Sequence, residues 1–173
     1  MTESIFIFLL GFLACIAAGS TGSLFPTGDW YKSLNKPSWT PPDWVFPIAW
    51  LYLYIAMSYS LVRVYGAPGN DLFLISWALQ LVFNTLWTPV FFGLNRIKLG
   101  FIILLCLWVS VVIMVVLAFY IDLIAGLLLT PYIVWGSYAG LLNFSIIQLN
   151  KGCLLYTSPS PRDYAASRMP SSA

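Results

Sequence analysis

Histidine is absent from this chain and charge of either sign is scarce: 8 Lys+Arg and 6 Asp+Glu in 173 residues, 8% in all, for a net charge of +2. Without His there is no Ser-His-Asp or Cys-His catalytic arrangement and no His-based zinc site. Cysteine is sparse as well. Cys15, Cys106 and Cys153 are odd in number and far apart, which suits neither a disulfide framework nor a metal cluster. No G-x-x-x-x-G-K-[ST] loop and no G-x-G-x-x-G stretch occurs. The few positive charges are scattered over loops, so nothing marks a nucleic-acid partner. A soluble domain carries about 25% charged residues, and this chain cannot clothe a water-facing surface with so few.

What the chain has instead is apolar surface: 60% hydrophobic and 17% aromatic residues. That is too apolar for disorder and points to an integral membrane protein of one domain. The charges cut the chain into lengths that match a bilayer, which needs about 20 apolar residues per helix. The spans expected are residues 5–25, 44–62 (between Asp43 and Arg63), 72–95 (between Asp71 and Arg96), 99–121 (between Lys98 and Asp122) and 123–149. Their apolar runs are continuous rather than alternating, which excludes a β-barrel. The fold class is therefore all-α, a polytopic bundle of five transmembrane helices over residues 1–150. Glu3 is the only early charge, so the first span lacks the positive n-region of a cleaved signal peptide. From residue 151 the composition turns abruptly to Ser, Pro and Arg. Residues 151–173 read as a disordered tail or as non-native translated adapter sequence, to be set aside from fold reasoning.

Basic residues are unevenly shared between the two sides. Lys32, Lys36, Arg96, Lys98 and Lys151 fall on one side and Arg63 alone on the other. The positive-inside rule then puts the first loop and the C-terminus in the cytoplasm and the N-terminus opposite, in a membrane whose identity the residues leave open.

The third span is the most informative. Gln80, Asn84, Thr88 and Phe91 recur at helical spacing and share one face, with Trp87 at its edge. Amides in hydrocarbon need partners, so this face looks inward, either as interhelical hydrogen bonding or as a cavity wall anchored at Asn84. The second span offers Trp50, Tyr54 and Met57 on one stripe, with Pro47 expected to kink it; the fifth offers Trp135, Ala139 and Asn143. Three helices each presenting an aromatic and a small or polar neighbour suit either a packed aromatic core or a ligand pocket. Small residues at four-residue spacing, Ala14, Ala18 and Gly22 in the first span and Gly136 and Gly140 in the fifth, mark close packing inside one bundle or between two. No ionisable group lies deep in a span. That argues against ion-driven transport and for a ligand that is itself apolar and flat, or lipid-like. The first loop, eighteen residues from Pro26 to Asp43, is rich in Pro and aromatics and should hold a shape, as lids do. Its Lys32 and Lys36 either enforce topology or meet an acidic group on a ligand.

Longer motifs sharpen this. The stretch Trp30-Tyr31…Leu34-Asn35-Lys36-Pro37…Pro41-Pro42…Trp44-Val45-Phe46-Pro47…Trp50…Leu53-Tyr54…Met57 resembles the translocator protein family, whose bacterial members are tryptophan-rich sensory proteins. Gln80-Leu81…Phe83-Asn84-Thr85-Leu86-Trp87-Thr88-Pro89…Phe91-Phe92-Gly93 and Pro131-Tyr132…Trp135…Leu142-Asn143 are similar to the same family, over about residues 5–150 and nearer its bacterial branch. The resemblance implies a five-helix bundle, commonly a homodimer, with a pocket opening toward the first loop. Ligands implied are tetrapyrroles such as protoporphyrin IX or haem-like rings, with no obligatory cofactor and no metal. Carried over, the pocket comprises Tyr31, Pro42, Phe46, Trp50, Tyr54, Asn84, Trp87, Phe91, Cys106, Trp135, Ala139 and Asn143, and a bulkier group at 139 should disturb packing. Animal members carry a sterol-recognition run with Tyr before a basic residue. Here Phe144 stands in that place and the next basic residue is Lys151, so a sterol or other lipid is expected only as a weak ligand. The function implied is binding of porphyrins for transport, sensing or stress response. Two alternatives stand beside it: light-dependent porphyrin breakdown resting on Trp50 and Trp135, and a dimeric membrane scaffold acting through partner proteins. With no acid–base pair in the spans, ordinary hydrolysis is not expected.

Overall fold

The computed structural model describes residues 2–151; the proposed tail beyond Lys151 lies outside them. The elements are α1 (Thr2–Gly19), α2 (Thr21–Leu24), α3 (Asp29–Ser33), α4 (Val45–Val64), α5 (Asp71–Thr88), a π-helical turn (Pro89–Gly93), α6 (Ile97–Ile121) and α7 (Leu123–Leu149). Five lengths are long and apolar enough to cross a bilayer: Thr2–Leu24, Val45–Val64, Asp71–Gly93, Ile97–Ile121 and Leu123–Leu149. α6 packs along α5 and α7, and α1 and α7 flank α4. The outer surface is Leu, Ile, Val and Phe, as lipid contact requires, while Met57, Phe73, Met114, Leu129 and Tyr132 fill the interior.

Three helix ends differ from a plain reading of the apolar runs. The first span breaks at Gly19, where the Ser20 and Thr21 hydroxyls donate back to the carbonyls of Ala17 (2.6 Å) and Ala18 (2.9 Å). Pro47, expected to kink the second span, stands instead at its start. α4 begins at Val45, which puts Pro47 in the first turn, where a backbone N–H has no intrahelical partner to lose. The third span does not run as one α-helix to residue 95. Pro89 has no N–H to continue the ladder, and the backbone widens into a π turn closed by Leu94 N–H donating to Pro89 O at 2.9 Å. Asn95 then turns the chain with φ 55, a conformation Asn tolerates better than most residues.

At the end away from the first loop, Arg63 donates twice to the Asp122 carboxylate, both at 2.7 Å. Asp122 also accepts from Ala125 N at 2.8 Å and so caps α7. The Arg63 guanidinium holds the Asp122 carboxyl down at about 2. This one residue ties α4 to the α6–α7 corner. Of the small-residue pair in α7, Gly136 faces Trp108 of α6, where a Cβ would lie 3.1 Å from the indole, whereas Gly140 has open space beside it. The first of the pair therefore serves packing within the bundle.

Candidate functional site

A cavity of about 790 Å³ lies between α1, α4, α5 and α7 and runs up to the first loop. Its walls hold Tyr31, Phe46, Trp50, Tyr54, Asn84, Trp87, Phe91, Trp135, Ala139 and Asn143, ten of the twelve residues expected from sequence. Pro42 is exposed on the loop and its neighbour Asp43 reaches the cavity in its place. Cys106 is a correction. It lies on the outer face of α6 in a shallow apolar groove with Leu79, Phe83, Leu105, Val109 and Ile113. Helical phase explains this: Leu104 and Leu107 point inward, so a residue between them points to lipid.

Aromatic rings set the cavity's shape. Trp50 stands edge-on to Tyr132 (6.1 Å, 81°) and beside Tyr54 (5.6 Å). Phe46 meets Trp135 at 5.6 Å and 74°, and Trp135 stacks on Tyr138 at 6.0 Å. On the opposite wall Trp87 stacks on Phe91 (5.0 Å, 21°), one helical turn apart, where the π turn begins. Such pairs contribute about 0.5–1.5 kcal/mol each beyond their buried area. Tyr54 approaches α1 so closely that its hydroxyl occupies the space a side chain at Gly19 would need.

The two readings of the polar face in α5 divide between neighbouring turns. Gln80 is fully buried and accepts from the Tyr132 hydroxyl at 3.0 Å, an interhelical bond that fixes the ring beneath Trp50. Asn84, one turn on, lines the cavity, and its amide nitrogen has no partner. The Trp87 indole N–H, both side-chain polar atoms of Asn143 and, off the cavity wall, Gln80 Nε2 are likewise buried and unpaired.

The first loop is fastened across the cavity's end. Asn35 N–H donates to Asn150 Oδ1 at 3.0 Å, and Asn150 Nδ2 donates back to Asn35 O at 2.9 Å. The Tyr138 hydroxyl donates to Trp39 O at 2.8 Å. Trp30 and Tyr31 set their edges against Phe91. Burial, and then the Asp43 carboxylate, raise the Tyr31 phenol above its ordinary value, so it stays a neutral hydroxyl. Neither lysine of the loop faces the cavity. Lys32 pairs with Asp29 at 3.5 Å in the open, and the Lys36 ammonium sits 4.1 Å from the Tyr31 ring centroid.

Sequence reasoning missed Tyr132 and Tyr138, whose spacing of three from Trp135 was the available signal, and the cavity wall supplied by Gly19–Ser23. That wall has only a cluster of small polar residues to announce it. Among the described residues no group of His, Cys, Asp or Glu could hold a metal.

The model for the TspO/MBR family matches residues 11–149. Protein CrtK of Rhodobacter capsulatus is 49% identical over 153 residues, covering 86% of this chain and 96% of its own. The tryptophan-rich sensory protein of Cereibacter sphaeroides is 43% identical over 144 residues (83% and 91%). The human translocator protein is 32% identical over 152 residues (83% and 90%).

Proposed function

The chain belongs to the TspO/MBR family, and from that premise we propose that its cavity binds tetrapyrroles of the protoporphyrin IX kind and related flat hydrophobic ligands, in porphyrin transport, sensing or stress response. One observation carries the reading: a cavity of about 790 Å³ walled by Trp50, Trp87 and Trp135 on three helices. Its volume is in the range of ligand pockets, about 300–1,000 Å³, and indole faces suit a flat aromatic macrocycle. The test is a dark titration of the purified chain with protoporphyrin IX, following tryptophan quenching. Saturation that weakens in Trp50→Phe, Asn84→Ala and Trp135→Phe supports the site. Quenching that stays linear, or equal in every variant, refutes it.

Because Trp50 and Trp135 line the same cavity, light-dependent breakdown of a bound porphyrin is the second reading. Replacing both with Phe should then abolish the photoproduct while binding persists; undiminished product refutes it. The sidedness and assembly of the bundle belong to the proposal too: first loop and C-terminal end cytoplasmic, and a homodimer in the membrane. Impermeant labelling of Ser38→Cys against Gly69→Cys in intact cells, on a Cys-free background, checks the first. Mass measurement in nanodiscs checks the second.

A further inference from the structure

The groove that holds Cys106 is walled by Leu79 and Phe83 of α5 and by Leu105, Val109 and Ile113 of α6, and it shares no residue with the cavity wall. Both of its sides continue toward the end of the bundle that carries the first loop. On α5 the face of Leu79 and Phe83 runs on through Leu86, which is exposed. On α6 the face of Val109 and Leu105 runs back through Ile102, also exposed, to Lys98. From Lys98 to Val109 is about 16 Å along the helix, at ~1.5 Å per residue. That is the depth of one leaflet, half of a hydrocarbon core about 30 Å thick. An acyl chain laid in the groove therefore brings its headgroup to Lys98.

Charge at that end of the groove is unbalanced. Arg96 and Lys98 are both exposed, and among the described residues neither pairs with an acid; the two ion pairs use Lys32 and Arg63. No acidic residue occurs between Asp71 and Asp122, which stand at the opposite ends of α5 and α6. Two unpaired cations at a membrane surface attract an anionic headgroup. A phosphatidylcholine offers the same phosphate but carries its own cation, so its net attraction to Arg96 and Lys98 is small.

We propose that the α5–α6 groove binds an anionic phospholipid of the leaflet on the first-loop side, its acyl chain along Leu105 and Val109 and its phosphate on Arg96 and Lys98. The site does not depend on what the cavity binds.

The experiment is native mass spectrometry of the full chain in detergent, with dioleoyl-phosphatidylglycerol and dioleoyl-phosphatidylcholine as probes of matched chains. The first phosphatidylglycerol should bind about 25-fold tighter than the first phosphatidylcholine, about fivefold for each cation. Arg96→Ala and Lys98→Ala should each lower that preference about fivefold and together abolish it. Both positions are exposed, so these variants retain the bundle. Val109→Trp fills the groove at a lipid-facing position that is 50% exposed; it should weaken phosphatidylglycerol about tenfold with both cations in place. In a Cys153→Ser background, added phosphatidylglycerol should slow maleimide modification of Cys106, and the double Ala variant should lose that protection. Equal binding of the two lipids by wild type overturns the proposal, as does a preference that survives the loss of both cations. Phosphatidylglycerol affinity unchanged in Val109→Trp, or a Cys106 rate indifferent to the lipid, reduces the effect to surface charge and overturns the groove site. A quantitative Cys106–Cys106 disulfide between two copies under mild oxidation assigns the groove to a second copy and overturns it as well.

Discussion

The loop that closes the cavity hangs on Asn150, and Asn150→Ala should release it. Two hydrogen bonds join this side chain to the backbone of Asn35, 115 residues away, at 3.0 and 2.9 Å. Asn150 is 5% exposed, so water does not readily replace them. Each such bond contributes about 0.5–1.5 kcal/mol net. Losing both removes about 1–3 kcal/mol, which lowers the ratio of fastened to released loop by about 5- to 150-fold. Leu34 and the Tyr138–Trp39 bond still hold neighbouring parts of the loop, so the effect should centre on residue 35. Amide hydrogen exchange reads it directly: Asn35 N–H should exchange faster by that factor while the α6 amides do not change. Release of a bound porphyrin should quicken in parallel. Asn150→Asp keeps the acceptor but loses the donor and should fall between. Unaltered exchange at Asn35 in Asn150→Ala would refute the clasp, whatever happened to ligand affinity.

Other consequences follow from single contacts. Gly19→Ala puts a methyl where the Tyr54 hydroxyl sits; it should lower the melting temperature and ligand affinity together, by about 1–3 kcal/mol in stability, and Tyr54→Phe in the same chain should restore part of both. The Asp122 carboxyl is held at about 2, chiefly by its hydrogen bond from Arg63, below its ordinary 3.8. Its stabilisation is present above about pH 4 and is lost as pH falls through about 2. Melting in detergent should therefore drop over that window in wild type and less in Asp122→Asn. Cys106 is exposed to the lipid side and Cys15 is fully buried. In a Cys153→Ser background an apolar maleimide should modify Cys106 alone, and saturating porphyrin should not protect it; protection would return Cys106 to the pocket.

Charge spacing was enough to read the five spans, because in lipid every charge marks a helix end and apolar length is fixed by bilayer thickness. The cavity wall was legible where it combined helical spacing with residue types that hydrocarbon penalises. Asn84 and Asn143 are conspicuous for that reason, and the Trp50–Tyr54 and Trp135–Ala139 stripes follow in phase. Three features were not legible. The inward or outward aim of Cys106 depends on the rotation of α6, a helix apolar all round, so no sequence asymmetry reveals its phase. The π turn depends on how the backbone accommodates Pro89, which a propensity reading renders only as a break or kink. The commitment of Lys32 and Lys36 to Asp29 and Tyr31 depends on loop geometry, and the chain's composition shows only that two cations are near the site.

The unpaired amides put ligand binding and the stability of the empty bundle in opposition. Both polar atoms of Asn143 are buried without partners, at a cost of about 1–3 kcal/mol for each unsatisfied group. Leu has nearly the same shape and no polar atoms, and its neighbours Leu142 and Ile146 already line the same wall. Asn143→Leu should therefore raise the melting temperature of the ligand-free protein, an unusual outcome for a core substitution, since most destabilise. The same variant should gain less from added protoporphyrin IX, because a buried donor open to a ligand's acceptor has gone; affinity and apo stability then move in opposite directions, as at other sites where function keeps a fold below its optimum. Asn84→Leu should behave alike, whereas Gln80→Leu should melt lower, because orphaning the fully buried Tyr132 hydroxyl outweighs removal of the unpaired Gln80 Nε2. An Asn143→Leu protein that melts below wild type would show that the amide is satisfied in the membrane, and the argument that Asn143 is held in reserve for a ligand would fail with it.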